Sequence, residues 1–456
     1  MTAALLLAIA LLAPLVSRRV TGDFFSPPAL AASAWCGTLG LFALRLLPYG
    51  PLQPATRTLI VGTIVCLVAG SALSAWWVSR RVRPGGDAVR QPQRAALWVA
   101  VYGVAGLLGV AWYVFNVVSV LGWQGFADGY ALREALFTYR IPSAFLFAQF
   151  FTIVAPLVAL AFVLGNTRLP ARVLVLPILC VLATLPSTDR TQFFLLVLAA
   201  GFMVAHRFGP EAPWRRVAGV ALVAAVLLVG SFLAVQAWRG GQMPNRTGLF
   251  LRLPGVVWVA RTAEVEAHPD APVLGAAGRE AQRLALFYVY LTVSYPGLDR
   301  LLASPGPRWG GRHIFFPVLR PLQRSGLLDI GLPSPIPDST LVCPPPAQGL
   351  LPLSYNQYTF LYYPFEDFGT AGALGYALVI GLLVGAIYAW GRKDRCDPLR
   401  LLVVAQTATA VVLTPFVNKF NNTAWWYILV LTTLPWVVAR LRSRLAARRV
   451  GAALPS

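Results

Sequence analysis

Long apolar runs separated by short, arginine-rich polar connections make up most of the chain. Several of these runs approach the roughly 20 apolar residues needed to cross the hydrocarbon core of a bilayer. In order they are Ala3–Val16, Ala29–Leu47, Thr58–Val78, Ala95–Leu121, Ser143–Leu164, Val173–Leu185, Thr191–Val204 and Val217–Ala237. A mixed-polarity stretch, Trp238–Phe368, then interrupts the pattern, which resumes with Gly369–Trp390, Leu401–Phe416 and Trp425–Ala439. The pattern predicts an all-α polytopic membrane protein of about eleven transmembrane helices with one long exterior loop. Three segments follow: an N-terminal bundle over 1–237, an exterior segment over 238–368, and a C-terminal bundle with a basic tail over 369–456. Within the exterior segment, Leu284–Tyr295 is too short to span and is expected to be an interfacial or re-entrant helix. Pro305–Pro352, rich in Pro and Gly, is expected to be irregular.

Composition strengthens this reading. Hydrophobic residues make up 57% of the chain and charged residues 12%, against about 25% charged in soluble domains. The formal net charge is +21. Its placement matters more than its size, because the cations crowd into short connections: Arg80, Arg81, Arg83, Arg90 and Arg94; Arg168 and Arg172; Arg207, Arg215 and Arg216; Arg392, Lys393, Arg395 and Arg400; and the tail from Arg440. All fall on one face of the expected topology. Orientation by loop charge therefore puts the C-terminus in the cytoplasm and the N-terminus outside, and it explains the basicity without a nucleic-acid partner. Arg18 and Arg19 follow the first apolar run instead of preceding it, unlike a signal peptide. The 5 cysteines show no paired metal-ligand spacing. Cys36, Cys66 and Cys180 lie in apolar runs, and Cys343 alone falls in the exterior segment.

Polar residues that sit against this pattern are the candidates for chemistry. Asp189-Arg190 stands at the tip between two apolar runs. It reads either as a pair that satisfies itself or as an anion site, in which Arg190 adds its charge to the positive end of the returning helix. At about 4 Å and an effective dielectric near 20, one such charge attracts a unit anion by about 4 kcal/mol. Arg239, followed by Gly240-Gly241, is expected at the same membrane depth. Asn356, Tyr358, Thr359, Glu366 and Asp367 lead into the span from Gly369. Asp367 reads as a cap of that helix, and either Asp367 or Glu366 as an acid–base group tuned by partial burial. His313, beside Arg312, is a second candidate base. Arg283, flanking the interfacial stretch, is a further candidate contact for an anionic substrate. His268 sits among Glu264, Glu266 and Asp270, which reads as a hydrated acidic face and not as a metal site.

Across Val173–Trp390 these features resemble the oligosaccharide repeat-unit polymerases, the O-antigen polymerase group of bacterial membrane glycosyltransferases. The resemblance is carried by Ser187-Thr188-Asp189-Arg190-Thr191 opening a helix, Arg239-Gly240 ending a span, the aromatic stretch Phe287-Tyr288-Val289-Tyr290, Asn356-Gln357-Tyr358-Thr359, and Asp367-Phe368-Gly369 with Gly372 entering a span. Where Asp189 stands, that group usually has a small residue. The resemblance implies transfer of a glycan from undecaprenyl pyrophosphate onto an incoming lipid-linked repeat unit, outside the cytoplasmic membrane. Arginines would hold the departing pyrophosphate, a carboxylate or histidine would take the acceptor proton, and neither metal nor cofactor is implied. Membrane lipids, a chain-length-regulating co-polymerase and a flippase are the implied partners. An O-antigen ligase-type enzyme, a glycosyltransferase using a polyprenyl-monophosphate sugar, a lipid-linked glycan transporter and a non-enzymatic assembly subunit are the competing readings.

Overall fold

The computed structural model describes residues 2–46, 49–81, 94–126, 143–184, 190–208, scattered positions between 213 and 234, 250–253, 256–259, 287–327, 329, 331–332, 340–341, 354–355 and 358–452. Among these the chain is helical: α1 (Ala3–Thr21), α2 (Pro27–Ala43), α3 (Pro54–Arg81), α4 (Ala95–Leu121), α5 (Ser143–Leu164), α6 (Ala171–Thr184), α7 (Arg190–Phe208), α8 (Ser294–Ala303), α9 (Phe316–Arg324), α10 (Tyr362–Gly391), α11 (Pro398–Val412) and α12 (Thr423–Ala452). Among the described residues two short antiparallel strand pairs accompany the helices. Phe250–Leu253 pairs with Val256–Val259, and Thr340–Leu341 pairs with Ser354–Tyr355.

Among the described residues, five helices are long and apolar enough to cross a membrane: Ala3–Thr21, Pro54–Arg81, Ala95–Leu121, Tyr362–Gly391 and Thr423–Arg442. Shorter apolar helices cover Phe150–Leu164, Ala171–Ala183, Phe193–Phe208 and Pro398–Val412. The chain is a membrane-embedded helical protein.

Its described residues form two compact units. One comprises Met1–Trp76, Phe232–Ala386 and Ala410–Thr423; the other comprises Trp77–Ser231, Ile387–Thr409 and Ala424–Ser456. In the first unit, α1 and α2 form a hairpin. α1 stops at Gly22, whose φ of 74° is left-handed and whose N–H returns to the Arg18 carbonyl, the usual device for ending a helix. The Ser17 hydroxyl donates to the Asp23 carbonyl at 2.6 Å, the Asp23 carboxylate accepts from the Phe25 N–H, and Pro27 opens α2.

α3 and α10 cross closely through small residues. A Cβ on Gly381 would meet the Leu67 carbonyl at 2.8 Å, and one on Gly70 would meet the Leu378 carbonyl at 2.8 Å. Lipid is as apolar as leucine, so helices in a bilayer gain little by hiding hydrophobic surface and associate through such close backbone contact instead.

The described part of the stretch expected to be an interfacial or re-entrant helix is largely buried. Helical residues 287–292 run into α8, and Val289, Val293, Tyr295 and Leu298 are fully buried. Their polar neighbours find partners on and after α2: the Tyr288 hydroxyl donates to the Leu41 carbonyl, Tyr295 bonds Thr38, and Thr292 bonds Tyr49. Tyr295 also packs edge-on against Trp35 at 6.2 Å.

In the second unit α5 is the central element, with Ile153, Val154, Ala155, Val158, Ala161 and Phe162 all fully buried. Gly103 and Gly106 of α4 let α6 and α5 approach, against Leu176, Cys180 and the Phe151–Thr152 backbone. Phe162 stacks on Trp436 of α12 at 5.1 Å. At the head of α11, Asp397 accepts from the Leu399 and Arg400 N–H groups and pairs with the Arg400 guanidinium at 3.5 Å. An aspartate N-cap followed by proline at the first helical position is a strong local start signal.

Candidate functional site

The site forms where α10 breaks. Gly369 adopts φ 72° and ψ −163°, which divides α10 into a short leg, Tyr362–Phe368, and a long apolar leg from Thr370. A side chain would strain this backbone. The bend also brings Phe368 back against Gly372, where a Cβ would collide with that of Phe368. Breaking a helix orphans the last carbonyls of the first leg, and the preceding loop supplies their donors. Arg308 Nη1 donates to the Phe365 carbonyl at 2.6 Å, the Trp309 N–H to that of Glu366 at 3.2 Å, and the Gly310 N–H to that of Asp367 at 3.3 Å. Gly310 and Gly311, at φ 58° and 94°, turn the loop so that it can do this.

The Asp367 carboxylate completes the joint. It is 2% exposed and accepts from the N–H groups of His313 (3.1 Å) and Ile314 (2.8 Å). A carboxylate holding two backbone donors is an anchor for the turn that leads into α9, not a free base. Of the two roles expected for Asp367, capping is therefore the one that its geometry fits, but it caps a neighbouring segment instead of its own helix.

Glu366 differs. Its side chain is 6% exposed, Oε2 lies against Gly306, and Oε1 is buried without a hydrogen-bond partner. Its charge is felt by Arg308, whose guanidinium also sits 4.6 Å from the centre of the Phe365 ring and beside Gly369. A buried acceptor left open costs about 1–3 kcal/mol, so it is a place where a donor from outside the chain would be welcome.

His313 is 3% exposed and lies in an aromatic enclosure. Trp309 stands at 5.8 Å, Tyr362 at 6.0 Å and Tyr363 at 5.4 Å, and Tyr358 stacks on Tyr362 at 4.7 Å. Burial pushes the imidazole below its usual pKa, and the Asp367 charge partly offsets this. At neutral pH the ring is therefore uncharged.

The structure thus brings together Glu366, Asp367, His313 and Tyr358 among the expected residues. Arg312 is separate: it is exposed and donates to the Gly331 carbonyl at 3.0 Å. Arg190 opens α7; its side chain, together with Asp189, Arg239, Arg283 and Asn356, lies outside the described residues. Sequence reasoning missed Arg308, Trp309, Tyr362 and Tyr363. Glycines at 306, 310 and 311 were the available signal of a shaped loop there. Among the described residues no cluster of His, Cys, Asp and Glu could hold a metal ion. No protein-family model, curated protein or solved structure matches the chain.

Proposed function

We propose that the chain is a membrane glycosyltransferase that polymerises undecaprenyl-pyrophosphate-linked oligosaccharide repeat units on the outer face of the cytoplasmic membrane. The observation that carries this reading is the open oxygen of Glu366, buried at the head of an apolar helix beside an arginine. In this reading Glu366 accepts the proton of the acceptor hydroxyl as its oxygen attacks the anomeric carbon of the donor. The bond from that carbon to pyrophosphate breaks, and the lipid pyrophosphate leaves with the electron pair. Arg308, with Arg190 and Arg239 as first inferred from sequence, stabilises the charge that develops on departure. His313, uncharged and held by aromatic rings, shapes the acceptor pocket, and Trp309, Tyr362 and Tyr363 supply faces on which sugar rings stack.

About eleven spans, an exterior segment over 238–368 and a cytoplasmic C-terminus complete the proposal, placing Glu366 at the leaflet where such donors accumulate. The test is a gel of surface glycan from cells that lack the chain and carry either the wild type or Glu366→Gln. Single repeat units with the variant and a ladder with the wild type support the reading. A normal ladder with Glu366→Gln overturns the role of that residue. A full-length glycan retained on its lipid in cells lacking the chain would identify a ligase instead.

A further inference from the structure

α9 carries its apolar residues on the wrong side for a soluble helix. Phe316 is buried, whereas Phe315, just before α9, and Val318 within it are 58% and 60% exposed. Gly311 joins this face to α10, since a Cβ there would touch both Phe315 (3.4 Å) and Phe368 (3.3 Å). Phe368 is itself 51% exposed and immediately precedes Gly369, where the long apolar leg begins. Beyond the bend the exposed surface continues along that leg through Ala371, Gly375, Leu378, Val379 and Leu383, at the spacing of one helical face. One apolar strip therefore runs from α9 onto a helix built to cross the bilayer. Its α9 end is basic: Arg308 and Arg312 are exposed, Arg320 lies over the Phe316 ring at 5.2 Å, and α9 ends at Arg324.

We propose that α9 is a lipid-docking helix that lies in the headgroup layer at the level of Gly369 and binds anionic phospholipid of that leaflet. Phe315, Val318 and Phe368 enter the acyl boundary while Arg308 and Arg312 meet lipid phosphates. An apolar face buried some 5–10 Å below the headgroups, with cations above it, is the arrangement expected of an interfacial helix. A second copy of the chain is a poorer occupant, because a like-charged surface would face these arginines. The proposal shares Arg308 with the reaction assigned above but does not rest on that reaction. It adds that the leaflet surface is registered to the site, since Asp367 ties the start of α9 to the α10 leg that carries Glu366.

The experiment uses the full chain with its native cysteines replaced by serine, a nitroxide at Val318→Cys or at Arg312→Cys, and nanodiscs of phosphatidylcholine with or without phosphatidylglycerol. The label at 318 should favour oxygen over a water-soluble nickel chelate, and the label at 312 should show the reverse. Spin-labelled phosphatidylglycerol should associate with the chain more than spin-labelled phosphatidylcholine does. Arg308→Gln with Arg312→Gln should reduce that preference by roughly fivefold for each cation removed. Nickel access at 318 equal to that at 312 overturns the docking. Protection at 318 from both reagents, with a dimer on size exclusion, assigns the face to a second copy and overturns it too. An unchanged lipid preference in the double variant removes the role of the arginines.

Discussion

Two junctions in this molecule start from the same materials and end differently. At Asp397–Arg400 and at Glu366–Asp367 an acidic residue, an arginine and a helix boundary meet in buried surroundings. At the first, Asp397 spends one oxygen on the N–H groups of Leu399 and Arg400 and turns the other to the Arg400 guanidinium at 3.5 Å, and that guanidinium lies over Trp390 and reaches its carbonyl. At the second, two adjacent carboxylates divide the work. Asp367 is committed to two backbone donors, while Glu366 keeps a buried oxygen open and Arg308 stays exposed. At the first junction the two buried atoms that complete no hydrogen bond, Asp397 Oδ2 and Arg400 Nε, face each other as an ion pair. At the second, the open oxygen of Glu366 has no such ion pair among the described residues, and in the function proposed above it takes up a proton.

The sharpest way to break this contrast is Glu366→Gln. If the open oxygen accepts a proton in the reaction, turnover should fall by about 10²–10⁴ while the thermal midpoint in detergent stays level, as measured by glycan ladder and by melting in parallel. A large drop in the midpoint with activity retained would make Glu366 another anchor. Next in size is Asp397→Ala, which strands Arg400 in a buried position. Removing one partner of such a pair costs about 3–5 kcal/mol, to be read as a lowered midpoint with intact turnover per folded molecule. Asp367→Asn, which weakens two charge-assisted bonds and leaves the shape unchanged, should cost about 1–3 kcal/mol and loosen the start of α9, visible as faster proteolysis near Phe315. The smallest effect concerns pH. The His313 pKa is lowered on folding, so the folded chain binds fewer protons than the unfolded chain. Its contribution is complete above the usual histidine value of about 6.5 and is lost as pH falls from there towards the folded value. The midpoint should drop as pH falls below about 6.5, and His313→Gln should reduce that drop.

The helices were largely legible. α4 and α5 occupy Ala95–Leu121 and Ser143–Leu164 as the apolar runs imply, and the left-handed residues Gly122 and Asn166 follow their ends. At α10 the apolar leg begins just after Gly369, where the span was expected to start, and the short leg Tyr362–Phe368 precedes it across the bend, since a glycine marks a break without saying whether helix continues on both sides. The stretch Leu284–Tyr295 was read as an interfacial or re-entrant helix because it is too short to span. That its tyrosine and threonine hydroxyls bond Leu41, Thr38 and Tyr49 depends on tertiary contact, which the apolar pattern does not carry. At the site, Glu366, Asp367 and His313 were each singled out in the sequence, and the structure brings them together. Their division of labour was not readable, because it depends on which oxygen faces the loop at 306–314. Arg308 looked like any other arginine in a chain full of them. The expected meeting of Arg190 with Arg239 falls outside the described residues.

The tight seam between α3 and α10 has a reach beyond its own contacts. A side-chain carbon on Gly385 would stand 2.1 Å from the Ser71 carbonyl and 2.3 Å from the Ser74 hydroxyl, so even one methyl group must wedge the two helices apart. Gly385 lies 16 residues beyond Gly369, about 24 Å along the axis, and a rigid rod pried open at one end swings at the other. A change deep in the bilayer would thus shift the platform beneath Glu366 without touching it, and loss-of-function substitutions should be sought there as readily as among the polar groups.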